Sequence, residues 1–174
     1  KYGNEIIESK IENKGFEMPY INVKLNVKES DELREKIADI VLENTTTILN
    51  KKAEVTSVLV EFVPQNTWSV GGKTCVTFYL DIKITKGTNT KEQKANYIKK
   101  CYKNFQELLG EITPASYIVI DEVDGDSWGF EGLTQEYRYI QSKILWVGIF
   151  KNLFLFLIEY ILKASFPKTK KSFF

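Results

Sequence analysis

Apolar and polar residues alternate along the first well-defined stretch of the chain. Ile21, Val23 and Leu25 are separated by single polar residues between Pro19 and about Val27. A period of two is typical of a strand that buries one face. The pattern therefore predicts a β-strand that begins at Pro19.

Helical spacing follows this strand. Apolar residues recur at helical spacing, namely Leu33, Ile37, Ile40, Val41 and Ile48, which is the pattern of an amphipathic helix. Ser30 precedes this run and is a favourable N-cap residue, because its hydroxyl can accept from a free backbone N–H. The sequence thus predicts a helix from Ser30 to about residue 49.

A second, nearly continuous apolar run extends from about Ser57 to Val63. Such a run predicts a strand that is buried on both faces. Pro64 ends it, and the stretch from Gln65 to Gly72 is rich in turn-forming residues. We expect a turn or a short hairpin there.

The same order of elements then returns. Alternation predicts a strand over Thr77–Thr85, and Thr90 and Gln93 have the spacing of a capping box at the start of a second helix. Another apolar run, Ser116–Val123, predicts a fourth strand. A second aromatic turn, residues 124–132, follows it.

The two halves match when one is shifted by 60 positions. The matched pairs are Val63 with Val123, Trp68 with Trp128, Gly72 with Gly132 and Ser30 with Thr90. This self-similarity indicates a duplicated β-α-β unit. The predicted fold class is α/β (α+β), with a four-stranded sheet and two helices on one face. We expect the other face to be largely apolar and covered by other subunits.

These patterns divide the chain into three parts. Residues 1–18 form a polar N-terminal extension, and residues 19–139 form the predicted domain, with repeats at about 19–76 and 77–139. Residues 140–174 form a hydrophobic and basic C-terminal extension. We hypothesise that one or both extensions are absent from the native product, because Met18 is an internal start candidate.

The C-terminal extension differs in composition from the rest. From Ile144 to Leu162 nearly every residue is apolar, with interruptions at Lys151, Asn152 and Glu159. This length is marginal for a spanning helix, and the charged residues count against one. The stretch 144–162 therefore predicts a hydrophobic helix with three possible roles: membrane contact, oligomer contact, or a non-native extension.

Charge and composition exclude several kinds of site. Lys plus Arg (24) nearly balance Asp plus Glu (23), so no nucleic-acid partner is indicated. The chain has no histidine, which excludes histidine triads and histidine-metal sites. Asp124, Asp126 and Glu131 lack regular ligand spacing and predict a solvated loop. We expect neither metal nor other cofactor. Cys75 and Cys101 predict two reduced thiols in a cytoplasmic protein.

Two motifs carry a resemblance to a known superfamily. The strand that opens with Met18-Pro19 and the turn Val63–Gly72, which contains Trp-x-Val-Gly-Gly, resemble 4-oxalocrotonate tautomerase. The duplicated unit resembles the longer members, namely macrophage migration inhibitory factor-like proteins, malonate semialdehyde decarboxylase and cis-3-chloroacrylate dehalogenase. The match covers about Pro19 to Tyr139.

The resemblance implies a function and an assembly. It implies an isomerase that interconverts keto and enol forms of a small carbonyl or enol substrate, without a cofactor, in a homotrimer. The catalytic group would be the amino-terminal nitrogen of Pro19 after removal of Met18. A free proline nitrogen is basic near neutral pH, whereas a proline inside a chain is an amide.

Other site residues are assigned by matching positions. Trp68 takes the position of the aromatic residue that walls the pocket, and Lys28 and Tyr117 are candidate substrate-binding residues. The family's arginine positions fall near Lys28–Glu29 and Ser57, and at Thr88 and Tyr117 in the second repeat. The arginine clamp is therefore missing, which favours a smaller or neutral enol. Thr77 replaces the proline in the second repeat, so we expect one site per chain.

The residues alone leave a second class open, a non-enzymatic oligomeric scaffold with a degenerate tautomerase fold. On that interpretation Pro19 simply begins a strand, where proline is tolerated. Trp68 and Trp128 would be packing anchors, and Tyr117 would be a half-buried strand tyrosine.

Overall fold

The computed structural model describes residues 18–165, without the side chains of residues 145–150, 159 and 162–165. Residues 1–17 of the polar N-terminal extension lie outside this part of the chain. The strands are β1 Tyr20–Leu25, β2 Ser57–Phe62, β3 Ser69–Val70, β4 Lys73–Thr74, β5 Phe78–Thr85, β6 Tyr117–Val123, β7 Gly129–Phe130 and β8 Leu133–Thr134. The α-helices of the described residues are α1 Asp31–Ile48, α2 Lys91–Leu109 and α3 Gln135–Ser165.

The main sheet has four strands in the order β2-β1-β5-β6. β1 and β2 are parallel, β5 and β6 are parallel, and the two pairs meet through the antiparallel pairing of β1 with β5. At that central seam Ile21 lies opposite Ile82. The predicted duplicated β-α-β fold is confirmed, and each hairpin (β3-β4 and β7-β8) follows the last strand of its repeat.

Helices α1 and α2 pack on one face of this sheet. The fully buried side chains come from alternate positions of β1 and β5 and from the inner stripes of α1 and α2. Ile37 and Val41 of α1 and Tyr97, Cys101 and Phe105 of α2 are all 0% exposed. The period-two and helical patterns in the sequence therefore give the core directly.

The predicted helix starts are confirmed by hydrogen bonds. Ser30 Oγ accepts from the Leu33 N–H at 3.2 Å. Thr90 Oγ1 accepts from the Gln93 N–H at 3.2 Å, and Gln93 Oε1 accepts from the Thr90 N–H at 2.9 Å. These bonds satisfy backbone donors that a helix start leaves free. α2 ends at Gly110, whose φ of 80° suits glycine.

The second face of the sheet is not largely apolar, and that expectation is wrong. Asn22 Nδ2 donates to Glu61 Oε2 at 2.8 Å, and Lys83 Nζ lies 2.7 Å from Asp121 Oδ2. Lys83 also lies 3.7 Å from Asp81. Apolar side chains such as Leu59, Val119 and Tyr117 are interspersed among these polar groups. The face is mixed because the polar members of each alternating strand point outward.

The last helix is longer than the sequence pattern indicates. α3 begins at Gln135, inside the region predicted to close the second repeat, and continues as one helix to Ser165. Thr134 Oγ1 accepts from the Tyr137 N–H at 3.1 Å near its start. Within residues 18–165, no helix meets the length and hydropathy needed to cross a membrane.

Candidate active site

Pro19 lies at the buried start of β1. Its carbonyl oxygen accepts from the Ser57 N–H at 3.1 Å, which joins the starts of β1 and β2. The antiparallel seam places Tyr20 opposite Lys83, near the end of β5. Pro19 therefore lies at the end of the sheet where strands β5 and β6 of the second repeat finish. We call this end of the sheet the Pro19 edge.

The connection after β5 is held firmly at this edge. The Lys86 N–H donates to the Val123 carbonyl oxygen at 2.9 Å. Glu122 accepts from the Gly87 N–H at 3.2 Å and from Lys94 Nζ at 2.8 Å. The hydrogen bond from Lys94 keeps the pKa of Glu122 below its ordinary value. Glu122 thus anchors the connection as a carboxylate.

Sequence reasoning did not single out Lys51, which reaches the same edge. This side chain is only 4% exposed, and its Nζ donates to Thr88 Oγ1 at 2.8 Å. Thr88 in turn donates to the Thr85 carbonyl oxygen at 2.7 Å. Nothing in the run Asn50-Lys51-Lys52 indicates burial, since such a polar run is typical of a solvated loop.

Trp128 belongs to the turn that follows β6 at this edge. Its side chain is half-buried, and its indole nitrogen is buried without a hydrogen-bond partner among the described residues. Its carbonyl oxygen accepts from the Gln135 N–H at 2.8 Å. Nearby, Lys86 Nζ lies 2.9 Å from Asp124 Oδ1, and this hydrogen bond raises the pKa of Lys86.

The other predicted site residues lie at the opposite end of the sheet within one chain. Lys28 and Trp68 follow the ends of β1 and β2, and Tyr117 is paired with Tyr79 at the start of β6. Six strand residues separate the two ends by about 20 Å. The structure thus brings Lys28, Trp68 and Tyr117 to one edge and Pro19 to the other.

A cavity of about 390 Å³ opens at this opposite end. It is lined by Val27, Lys28, Glu29 and the segment Phe62–Gln65. It is apolar at Val27, Phe62 and Pro64, and it carries one charge of each sign. Its place in the fold corresponds to the second repeat's missing proline.

Thr77 fills that missing position with a closed network. Its side chain is fully buried, and its N–H donates to Asn26 Oδ1 at 2.8 Å. Asn26 Nδ2 donates to the Cys75 carbonyl oxygen at 2.7 Å, and the Thr77 hydroxyl lies 3.1 Å from Ser116 Oγ. This end therefore offers hydrogen-bonded structure and no basic nitrogen at the strand start.

Both arginines contact the protein itself. Arg34 Nη1 donates to the Val60 carbonyl oxygen at 2.6 Å, and its guanidinium lies 5.0 Å from the Phe62 ring centroid. Arg138 lies 3.7 Å from the Phe130 centroid and donates to the Phe130 carbonyl oxygen at 3.0 Å. These contacts leave neither guanidinium as an open fork for a substrate carboxylate.

The described residues contain no group of three or more histidine, cysteine, aspartate or glutamate side chains placed to hold a metal ion. The acidic turn at residues 124–131 instead pairs with cations of the protein. Lys86 pairs with Asp124 at 2.9 Å, and Arg138 with Glu131 at 3.1 Å. The side chains at the Pro19 end of the sheet therefore include Lys51, Lys86 and the indole of Trp128.

Similar proteins share this architecture. No curated protein sequence matches the chain. A fused 4-OT, solved as an asymmetric trimer, is 20% identical, with a TM-score of 0.62, over 67% of this chain and 96% of that one. The macrophage migration inhibitory factor-like protein of Entamoeba histolytica is 20% identical, with a TM-score of 0.59, over 67% and 98%. Pt0534, solved after inactivation by 2-oxo-3-pentynoate, is 13% identical, with a TM-score of 0.62, over 67% and 96%.

The family comparison covers most of the predicted domain. The model described as "Tautomerase enzyme" matches twice, over residues 19–77 and 79–136. The two matches agree with the two β-α-β repeats, and the first begins at Pro19. This chain belongs to the tautomerase family, in its two-repeat form.

Proposed function

We propose that this protein is a keto–enol tautomerase that uses the amino-terminal nitrogen of Pro19 as its acid–base group. The observation that carries the proposal is the position of Pro19. It is the first residue of the family match and lies buried at the start of β1. In the chain as printed, this nitrogen is the amide of the Met18–Pro19 bond. The active form is therefore one from which residues 1–18 have been removed.

The chemistry follows from the properties of a secondary amine. An ordinary α-amino group titrates at about 7.7–8.0, and burial of an amine favours its neutral form. Neutral Pro19 takes a proton from the carbon next to a carbonyl group and becomes an ammonium. It then returns the proton to the oxygen of the resulting enolate, which gives the enol, or to another carbon of a conjugated enolate, which gives an isomeric ketone. The nitrogen is restored, so the cycle needs neither cofactor nor net redox change.

The aromatic wall of the proposed Pro19 site comes from the second repeat. Trp128 belongs to the turn after β6, at the same edge as Pro19, and is a better wall for this amine than Trp68 of the same chain. Lys28, Trp68 and Tyr117 contribute to a Pro19 site only if another chain supplies them. We propose a homotrimer, as in the fused 4-OT relatives solved as trimers.

The substrate is a small carbonyl or enol compound with at most one strongly bound carboxylate. Glu29 and Ser57 fall where the resemblance places arginines, and Arg34 and Arg138 are engaged within the protein. Lys51 supplies an ammonium at the Pro19 edge. An ammonium presents a point charge to a carboxylate and lacks the two-pronged geometry of arginine. A monocarboxylate enol such as phenylenolpyruvate fits this arrangement better than a dicarboxylate.

Covalent labelling tests the proposed amine. 2-Oxo-3-pentynoate inactivates Pt0534, and its alkyne is conjugated to a ketone. The Pro19 nitrogen would add to the far alkyne carbon, and the N–H proton would move to the neighbouring carbon. Protein that begins at Pro19 should gain the mass of one reagent molecule on its first tryptic peptide, Pro19–Lys24.

The matched control is the chain that retains residues 1–18, because its Pro19 has no free amine. Its tryptic peptide Gly15–Lys24, which contains Pro19, should not be labelled. Labelling of both chains elsewhere, for example at Cys75, with the first peptide unmodified, would contradict the proposal. In that case the scaffold function would account for the fold better.

A further inference from the structure

The last helix leaves the domain after its first turns. Gln135 and Glu136 donate their N–H groups to the carbonyl oxygens of Trp128 and Gly125 at 2.8 and 3.0 Å. Arg138 adds its contacts with Phe130. The described apolar side chains of this helix are exposed from Tyr137 onward, and they include Ile140 at 47% and Ile144 at 58%. Among the described residues, the helix is therefore anchored at its start and contacts little of the domain beyond.

One section of this helix is apolar at eight of its nine positions. We call residues 153–161 the apolar section of α3, and Glu159 is its one charged residue. Its six consecutive members are all large and all exposed: Leu153 52%, Phe154 64%, Leu155 52%, Phe156 65%, Leu157 47% and Ile158 38%. Successive side chains turn by about 100°, so six of them pass around the whole helix.

This distribution of apolar side chains favours a lipid layer over a second copy of the helix as the surroundings of the section. A second copy of the helix buries one stripe of its partner, as in a coiled coil, and leaves the opposite side in water. The acyl chains of a lipid layer surround a helix on all sides. Apolar exposure this extensive is unfavourable in water by about 25 cal/mol for each Å². A lipid environment removes all of it, and a helix pair removes about half.

The length and flanking residues of the section also favour lipid. Residues 153–161 extend about 14 Å, half of a hydrocarbon core of about 30 Å. Exposed Lys151 and Asn152 precede it. The sequence after Ile161 contains Lys163, Lys168, Lys170 and Lys171 and no acidic residue. Lysines next to an apolar helix are attracted to anionic head groups, by about 1 kcal/mol each.

We propose that the apolar section of α3 inserts into one leaflet of a membrane that contains anionic lipids, with exposed Lys151 at the head groups. The tautomerase domain is then held at a membrane surface by its last helix. This binding is independent of the Pro19 chemistry, since it uses neither that edge of the sheet nor the N-terminus.

Vesicle flotation tests the proposal with the full chain. The vesicles contain phosphatidylcholine alone or phosphatidylcholine mixed with phosphatidylglycerol. We expect the protein to float with the mixed vesicles. The double substitution Phe154→Asn and Phe156→Asn should reduce the bound fraction by on the order of tenfold or more. The triple substitution Lys168→Gln, Lys170→Gln and Lys171→Gln should weaken binding to the anionic vesicles selectively.

The control is Ile98→Asn, which changes an exposed apolar residue (40%) on α2 and should bind as the unsubstituted chain does. Circular dichroism checks that each variant is folded. The proposal is overturned if the unsubstituted chain stays unbound with both kinds of vesicle, or if the Phe154/Phe156 variant floats equally well. A lipid-free assembly that this variant dissociates, together with absence of flotation, would instead assign the section to self-association.

Discussion

The ammonium of Lys51 lies 2.8 Å from the hydroxyl oxygen of Thr88. This contact joins the connection before β2, in the first repeat, to the connection after β5, in the second. Both connections lie at the Pro19 edge, where β1 and β2 begin and β5 ends. The two repeats therefore meet around Pro19, and a buried lysine is part of that meeting point.

The first prediction concerns Lys51 as the binding group for a substrate carboxylate. Lys51→Met should raise KM for phenylenolpyruvate by about tenfold, with a smaller change in kcat, because a charge-assisted hydrogen bond contributes roughly 1.5–3 kcal/mol. Steady-state kinetics of protein that begins at Pro19 measures this split. Lys36→Met is the control, because Lys36 is an exposed lysine paired with Glu32 on α1. Equal KM values for the two variants would exclude Lys51 from substrate binding.

The second prediction separates the two tryptophans. Trp128→Ala should lower kcat/KM by roughly tenfold and move the ascending limb of the pH profile to higher pH, because loss of the wall lets water stabilise the Pro19 ammonium and raises the pKa of Pro19. Trp68→Ala, which removes the corresponding ring at the Thr77 edge, should have a smaller effect. The pH dependence of kcat/KM measures both. A larger loss in the Trp68 variant would show that the site is completed by Trp68 of another chain.

The third prediction uses the buried thiol of α2. Burial raises the pKa of Cys101 from 9.0 to about 11, because desolvation penalises the thiolate. A raised folded-state pKa gives stability that is complete below pH 9 and is lost as the pH rises toward 11. The urea midpoint should therefore fall over this window. The urea midpoint of the Cys101→Ala variant should fall less steeply with pH. Burial also raises the pKa of Tyr97, and this group contributes to the fall that remains. If the urea midpoint of the variant fell with pH as steeply as that of the unsubstituted protein, the fall could not be attributed to Cys101.

The fourth prediction concerns the capping box of α2. Thr90→Ala removes the acceptor for the Gln93 N–H and should lower the free energy of unfolding by about 1 kcal/mol. Urea denaturation measures it at constant m value. Thr46→Ala is the control, since this half-buried threonine donates to the Glu43 carbonyl oxygen within α1. A change at Thr90 no larger than that at Thr46 would mean that the cap adds no stability.

Local patterns in the sequence predict most of the fold, because periodicity and capping depend on neighbours along the chain. The strands, the caps at Ser30 and Thr90, and the stop at Gly110 follow from such local signals. The pairing of β1 with β5 does not, because antiparallel and parallel neighbours have similar alternation. Without that pairing, Trp68 is easily taken as the aromatic wall of the Pro19 site. The pairing of β1 with β5 instead brings Trp128, in the second repeat, to the Pro19 edge.

The site was less accessible from sequence than the fold. Lys51 lies in a polar run, and its burial depends on how the two repeats pack together. The polar second face of the sheet was likewise missed, because alternation gives the spacing of the outward residues and says less about their contacts. α3 extends back to Gln135 because Thr134 and the Trp128 carbonyl oxygen cap its start. Those contacts depend on the hairpin fold.

The most direct test of the central claim is ketonisation of phenylenolpyruvate and of 2-hydroxymuconate by protein that begins at Pro19. Pro19→Ala is assayed beside it, and Pro64→Ala, at the opposite end of the sheet, is the matched control. The account predicts turnover that rises with pH through a base near neutrality, falls by on the order of a hundredfold or more in Pro19→Ala, and is unchanged in Pro64→Ala. Equal background rates for all three proteins would contradict it, and would mean that the fold persists without the proline chemistry.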